Sequence, residues 1–187
     1  MEAFVTAPVT ARYPSLSGRC VFVSGGATGI GATLVEQFAA QGATVGLCDL
    51  DTAAGEALAA RLPGTLFVRA DVTDIPALEA AIDATAARFG PVRALMNNAA
   101  NDERHTLEAT TPEAWDRRVA VNLKHAFFAA RRVAPGMAAA GGGSIVNFGS
   151  MSWKAKQAGL AVYVPASRRR RASRAAWRAS WGRSTSA

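Results

Sequence analysis

At 187 residues, half of them hydrophobic, the chain has the length of one domain and enough apolar mass for a core. No apolar run reaches the roughly 18 residues of a membrane span, and Met1 to Pro8 lack the basic start and apolar stretch of a secretory signal, so a cytoplasmic protein with no membrane partner is expected. The net charge of +7 is confined to one end: residues 1–163 hold 14 Lys+Arg against 14 Asp+Glu, whereas residues 164–187 hold seven Arg and no acid, so the body of the chain is not a nucleic-acid-binding surface.

Residues 1–17 read as a loose N-terminal arm, punctuated by Pro14 and closed by Gly18. Cys20–Ser24 is a short β-rich run. Over Gly29–Gln41, apolar residues at Ile30, Leu34, Val35, Phe38 and Ala39 have helical spacing, and Gly42 ends the helix. Thr44–Cys48 is a second strand ending at Asp49, and Thr52–Leu62 a second helix stopped by Pro63-Gly64. Leu66–Ala70 is a third strand. Asp74 caps a helix over Ile75–Phe89, with Pro76 near its start and Gly90-Pro91 beyond its end. Val92–Met96 is a fourth strand, followed by a polar loop over Asn97–Glu108. Thr111 caps a long helix that runs to about Ala140 with a kink expected at Pro135-Gly136, and Ser144–Phe148 is a fifth strand. Strands alternating with helices of this length predict an α/β fold, a doubly wound parallel sheet with helices on both faces. Cys20 and Cys48 lie in apolar strand runs, too few for a disulfide framework and without metal-ligand spacing, so buried thiols and no metal are expected.

The stretch Ser24–Gly31, Ser-Gly-Gly-Ala-Thr-Gly-Ile-Gly, lies between the first strand and the first helix. A helix N-terminus presents free N–H groups and the positive end of its dipole, and glycines let backbone approach a pyrophosphate. Asp49 follows Gly31 by eighteen residues at the end of the second strand, where a carboxylate accepts from the adenosine ribose hydroxyls and repels a 2′-phosphate. No Arg or Lys closely follows Asp49 in sequence, which favours NAD over NADP.

Across residues 18–163 the chain resembles the short-chain dehydrogenase/reductase family. The family's Thr-Gly-x-x-x-Gly-x-Gly is matched at Ser24, Gly25, Gly29 and Gly31, with Ile30 inside the turn and serine in the place of threonine. Asp71-Val72 matches its adenine-contacting pair, and Asn97-Asn98-Ala99-Ala100 its Asn-Asn-Ala-Gly motif, with Asn98 on the same cofactor. Asn122 matches the catalytic asparagine of the long helix, and Ser150 and Tyr163, thirteen apart, match the catalytic serine and tyrosine. Three strings, Asn98–His105, Val133–Met137 and Gly141–Trp153, resemble bacterial aldose 1-dehydrogenases.

The resemblance implies hydride transfer from a sugar or other secondary alcohol to nicotinamide. Tyr163 would be the base and a further cofactor contact, Ser150 would hold the reacting oxygen, and Asn122 would bind a water. It also implies homodimers or tetramers, with the alanine-rich Ala126–Ala140 as packing surface. A free tyrosine titrates near ~10, and the family lowers this with a lysine four residues on. Here that position is Ser167, and Pro165 disfavours helix at Val164, so the catalytic set is expected to be incomplete and activity impaired.

Residues 164–187 read as a basic, frameshifted tail on a C-terminally truncated dehydrogenase. Reading each residue's third codon base with the next residue's first two, Ala166 into Ser167 can give lysine at the family's spacing, Arg168–Arg171 alanines, and Trp181 into Gly182 must give glycine. The family's last two strands have no counterpart, which would leave the fifth strand as a raw edge prone to aggregation. Arg168–Arg171 with Trp177 and Trp181 has the chemistry of a phosphate-binding patch, but the charge begins where the family motifs stop, and no nucleic-acid partner is expected. His105 is a candidate for contact with sugar hydroxyls, with Asn101 and Asp102 as further hydroxyl binders. Trp153 is a candidate wall of the substrate site, and His125 reads as structural. Three functions from different classes remain open: an NAD-dependent sugar or polyol dehydrogenase, a non-catalytic relic that binds NAD weakly, and, on the tail alone, a basic nucleic-acid binder.

Overall fold

The computed structural model describes residues 11–152 and 154–167. Trp153 and the tail beyond residue 167, with the expectations attached to them, lie outside the described residues. Five strands, β1 (Cys20–Ser24), β2 (Thr44–Asp49), β3 (Thr65–Arg69), β4 (Val92–Asn97) and β5 (Ser144–Asn147), form one parallel sheet in the order β3-β2-β1-β4-β5. Five α-helices join them: α1 (Gly29–Ala40), α2 (Thr52–Arg61), α3 (Ile75–Phe89), α4 (Pro112–Val119) and α5 (His125–Ala139).

The alternation of strand residues sorts the core into two layers. From β1, Cys20 and Phe22 pack with Leu78, Ala81 and Ile82 of α3 and Ala129, Ala130 and Val133 of α5. Val21 and Val23 point to the other face, with Val35 of α1 and Leu58 of α2. With both faces covered, all five residues of β1 are buried, so the strand reads as a continuous apolar run rather than an alternating one. Side chains such as Phe22, Leu47, Leu78 and Leu95, fully buried, each contribute about 1.5–3 kcal/mol of apolar transfer. Three helices start at side-chain caps, with Asp51 accepting from the Ala54 amide, Asp74 from Ala77 and Thr111 from Ala114.

Two expectations change. The residues 11–17 of the N-terminal arm are tied down: Gln41 accepts from the Tyr13 amide at 2.9 Å and donates to the Ala11 carbonyl at 2.9 Å. The long helix after Thr111 is interrupted not at Pro135, through which α5 runs unbroken, but by a π-helical segment over Ala120–Lys124. No side chain in that segment advertises the extra residue per turn, so periodicity alone reads it as α-helix. Among the described residues β5 pairs only with β4 and forms the sheet edge.

Candidate active site at the C-terminal end of the sheet

The strand order reverses between β1 and β4, and both of their C-terminal ends open onto the same crevice, where an open α/β sheet places its ligand. The glycine turn occupies that point. Gly25 and Gly29 adopt left-handed φ values of +66° and +55°. A Cβ at Gly25 would lie 2.8 Å from the Ala99 Cα, and one at Gly31 would collide with the Gly25 carbonyl oxygen and lie 2.8 Å from the Asn98 amide nitrogen. At Gly25 and Gly31 the turn therefore leaves no room for a side chain, whereas Gly29 is required by its φ alone. Thr28 precedes α1 without a side-chain cap, so the first-turn N–H groups of α1 are not claimed by that residue. Ile30, on that first turn, is 68% exposed, an apolar surface beside the turn that a bound molecule can cover. These features fit a dinucleotide pyrophosphate.

Around the turn, side chains from three strand ends lock the backbone. The buried Ser24 hydroxyl accepts from the amides of Asn98 (3.2 Å) and Ala99 (3.3 Å). Asn98 donates its side-chain amide to the Gly25 carbonyl at 2.8 Å. Asp49 accepts from Ala27 inside the turn (3.0 Å) and from Leu50 (2.8 Å) and Asp51 (3.2 Å) behind it. A carboxylate offers about four lone-pair sites, so three amides leave little spare capacity. The strand register also sets Arg69 beside Asp49, a neighbour that linear spacing did not reveal. Asp71, after β3, holds the amide and hydroxyl of Thr73, both at 2.8 Å, and Val72 is buried behind it.

Asn122 lies in the π-helical segment, fully buried. Its Oδ1 accepts from the Asn101 amide (3.0 Å) and its Nδ2 donates to the Asn101 carbonyl (2.9 Å). The asparagine thus clasps the loop after β4, and Asn101 serves there as backbone while its side chain accepts from Glu103. Asn97, at the end of β4, donates to Asn147 of β5 (2.8 Å) and to the Ala126 carbonyl of α5 (3.3 Å), a tie that the motif alone did not indicate. Ser150 follows β5 and accepts from the Ser152 amide at 3.1 Å.

Tyr163 opens a helical turn over residues 163–167, contrary to the expectation that Pro165 would prevent one. Proline sits within the first turn, where its missing N–H would have had no intrahelical partner. Ser167 therefore does stand one helical turn after Tyr163. It is buried, and its hydroxyl donates to the Val164 carbonyl at 3.0 Å. The backbone thus carries position 167 one turn beyond Tyr163, with serine there. His105 also departs from expectation: Nδ1 faces the Glu103 carbonyl (3.0 Å) and Nε2 accepts from the Val162 amide (3.2 Å), so both ring nitrogens are committed to backbone rather than to a sugar.

The two thiols are inert by environment. Burial pushes Cys20 up to about 11 and Cys48 up to about 12. The Cys48 carbonyl accepts from Gly25 (2.8 Å) and Gly26 (3.2 Å), and the Gly25 backbone also hydrogen-bonds the thiol, an effect smaller than that of burial. Among the described residues no helix is long and apolar enough to cross a membrane, and no cluster of His, Cys, Asp and Glu has the makings of a metal site.

Comparison with known proteins agrees with this architecture. The profile of the short chain dehydrogenase family matches residues 19–168. The probable galactose dehydrogenase GalD of Rhizobium meliloti is 43% identical over 162 residues, and the D-xylose 1-dehydrogenase of Caulobacter vibrioides 42% identical over 161; each alignment covers 84% of this chain and 63% of the relative. The apo form of LigO from a Sphingobium species superposes with a TM-score of 0.81 at 26% identity, covering 88% of this chain and 63% of the other. A variant of a Serratia marcescens short-chain dehydrogenase/reductase gives 0.76 at 30% identity, covering 83% of this chain and 64% of the other. The chain belongs to the short chain dehydrogenase family. It spans less than two thirds of the length of these relatives.

Proposed function

We propose that residues 18–163 form the cofactor-binding part of an NAD-dependent dehydrogenase that oxidises a sugar or another secondary alcohol, and that hydride transfer by this chain is impaired by the serine at position 167. The observation that carries the reading is the fit of the glycine turn. Gly25 and Gly31 leave no room for a side chain, Asn98 and Asp49 hydrogen-bond the turn, and α1 begins within it at Gly29. Bound NAD would supply the hydride acceptor. Asp49 would receive ribose hydroxyls, Asp71 and Val72 would contact the adenine, and Gly25, Gly29, Ile30 and Gly31 would hold the pyrophosphate. Tyr163 takes the alcohol proton, Ser150 holds the oxygen that loses it, and Asn122 keeps the loop after β4 in place. The sugar preference rests on the galactose and xylose dehydrogenases among the relatives.

Ser167 favours a second reading beside the first, in which the chain binds NAD without turning it over. Its buried hydroxyl carries no charge to stabilise a phenolate and is already spent on Val164. Steady-state assay of the purified chain with NAD and D-xylose or D-galactose separates the two: turnover at rates ordinary for dehydrogenases, on the order of 1–10³ s⁻¹, excludes the relic.

We further read residues 164–187 as translated out of frame. Nucleotide sequence through codons 160–187 tests this. A shifted frame that gives lysine at position 167 and stays open supports it, and one interrupted by stop codons refutes it.

A further inference from the structure

We propose that His105 is a positioning residue for Tyr163, acting as a neutral imidazole protonated on Nδ1 that holds the start of the tyrosine's helical turn against the loop after β4. A backbone N–H can only donate, so the 3.2 Å contact from Val162 makes Nε2 the acceptor and leaves the ring proton on Nδ1 for the Glu103 carbonyl 3.0 Å away. Val162 is the residue before Tyr163. Its carbonyl accepts from Ala166 within the turn (3.3 Å), while its own amide precedes the first intrahelical bond and has no helical partner to donate to. The imidazole, on the loop after β4, supplies that partner.

Two further bonds make this a strap rather than an isolated contact. The His105 amide donates to the Gly159 carbonyl at 2.9 Å, pairing the segments as a parallel bridge between His105 and Leu160. Arg104, one residue earlier, reaches the Ala158 carbonyl at 2.7 Å. Leu160 and Val162 are buried beneath the crossing. The same loop is clasped at Asn101 by Asn122, so His105 joins the two family-motif positions, Asn122 and Tyr163, through one stretch of backbone.

The charged and titratable groups on the surrounding elements are Asp102, Glu103, Arg104 and Glu108 on its own loop; Glu113, Asp116, Arg117 and Arg118 on α4, the Arg118 guanidinium lying 3.6 Å from Glu103; and Lys154, Lys156 and Tyr163 on the opposing segment. A proton on Nε2 turns the acceptor into a donor facing another donor. The strap is therefore present while the ring is neutral and is lost once acid protonates it. The catalytic consequence rests on the proposed role of Tyr163; the strap itself does not.

The chain has two histidines, so histidine-selective ¹⁵N labelling of the full chain gives two ring systems, and His105→Gln assigns them. The expected result is an Nδ1–H tautomer for His105 at neutral pH and a Val162 amide whose exchange protection falls in step with protonation of that ring. His105→Phe should lower Val162 protection roughly three- to tenfold, the loss of one hydrogen bond, and His105→Gln, whose amide oxygen accepts, should keep part of it. An Nε2–H tautomer, or Val162 protection indifferent both to ring titration and to His105→Phe, overturns the proposal. Failure of the chain to bind or reduce NAD would count against the dehydrogenase reading and leave these readouts unchanged.

Discussion

Asn98 donates its side-chain amide to the carbonyl of Gly25 at 2.8 Å, and the absent Cβ of Gly31 is what allows the two to meet. That single bond joins the end of β4 to the glycine turn after β1, across the point where the strand order reverses. The crevice at the switch point thus has one wall built by the amide of one motif and the backbone of another.

Substitution at Gly31 should be severe. Gly31→Val forces a side chain into the Gly25 carbonyl and the Asn98 amide, an overpacking that costs about 1–3 kcal/mol or more. Urea unfolding should show a lowered midpoint, and NADH binding followed by fluorescence should be lost even where the variant remains folded.

Asp49 should prove both structural and selective. Asp49→Ala strips the acceptor from the part-buried amide of Ala27 and from the exposed amides of Leu50 and Asp51, and leaving the first unpaired costs about 1–3 kcal/mol. With the carboxylate gone, Arg69 in the adjacent register is left to meet a 2′-phosphate. The ratio of NADPH to NADH affinity should therefore rise in this variant, as competitive titration would reveal.

A lysine introduced at position 167 should raise activity. The helical turn over residues 163–167 already places position 167 one turn beyond Tyr163, so Ser167→Lys needs no backbone change. Ser167 is buried, and seating a charge there lowers stability, visible as a reduced melting temperature. Alcohol oxidation should nevertheless increase at neutral pH, and its pH profile should extend to lower pH, because an adjacent cation stabilises the phenolate.

The thiols should be silent in the native state. Burial pushes Cys48 up to about 12 and Cys20 up to about 11, so both remain protonated thiols through neutral and moderately alkaline pH. A thiol-reactive disulfide reagent should label neither until denaturant is added, when both should react.

Much of this was legible because strong local signals coincide with long-range ones. β1 and the turn after it announce themselves through a β-rich apolar run followed by glycines, and the sheet's order then puts that turn at the switch point. Asp74 with Pro76, and Thr111 with Pro112, marked helix starts where the caps now stand. What stayed hidden depends on register or on backbone geometry that no residue type encodes. Arg69 is twenty residues from Asp49 in the chain and its neighbour in the sheet. The π-helical segment that carries Asn122 has ordinary helical composition. His105 looked like a polar loop side chain until the segment after β5 folded back to meet it.

The most direct measurement is a fluorescence titration of the purified full chain with NADH and, separately, NADPH. Saturable binding of NADH, tighter than NADPH and abolished by Gly31→Val, is the expected result. No saturable binding of either nucleotide, or binding unaffected by Gly31→Val, would contradict a dinucleotide site at the glycine turn.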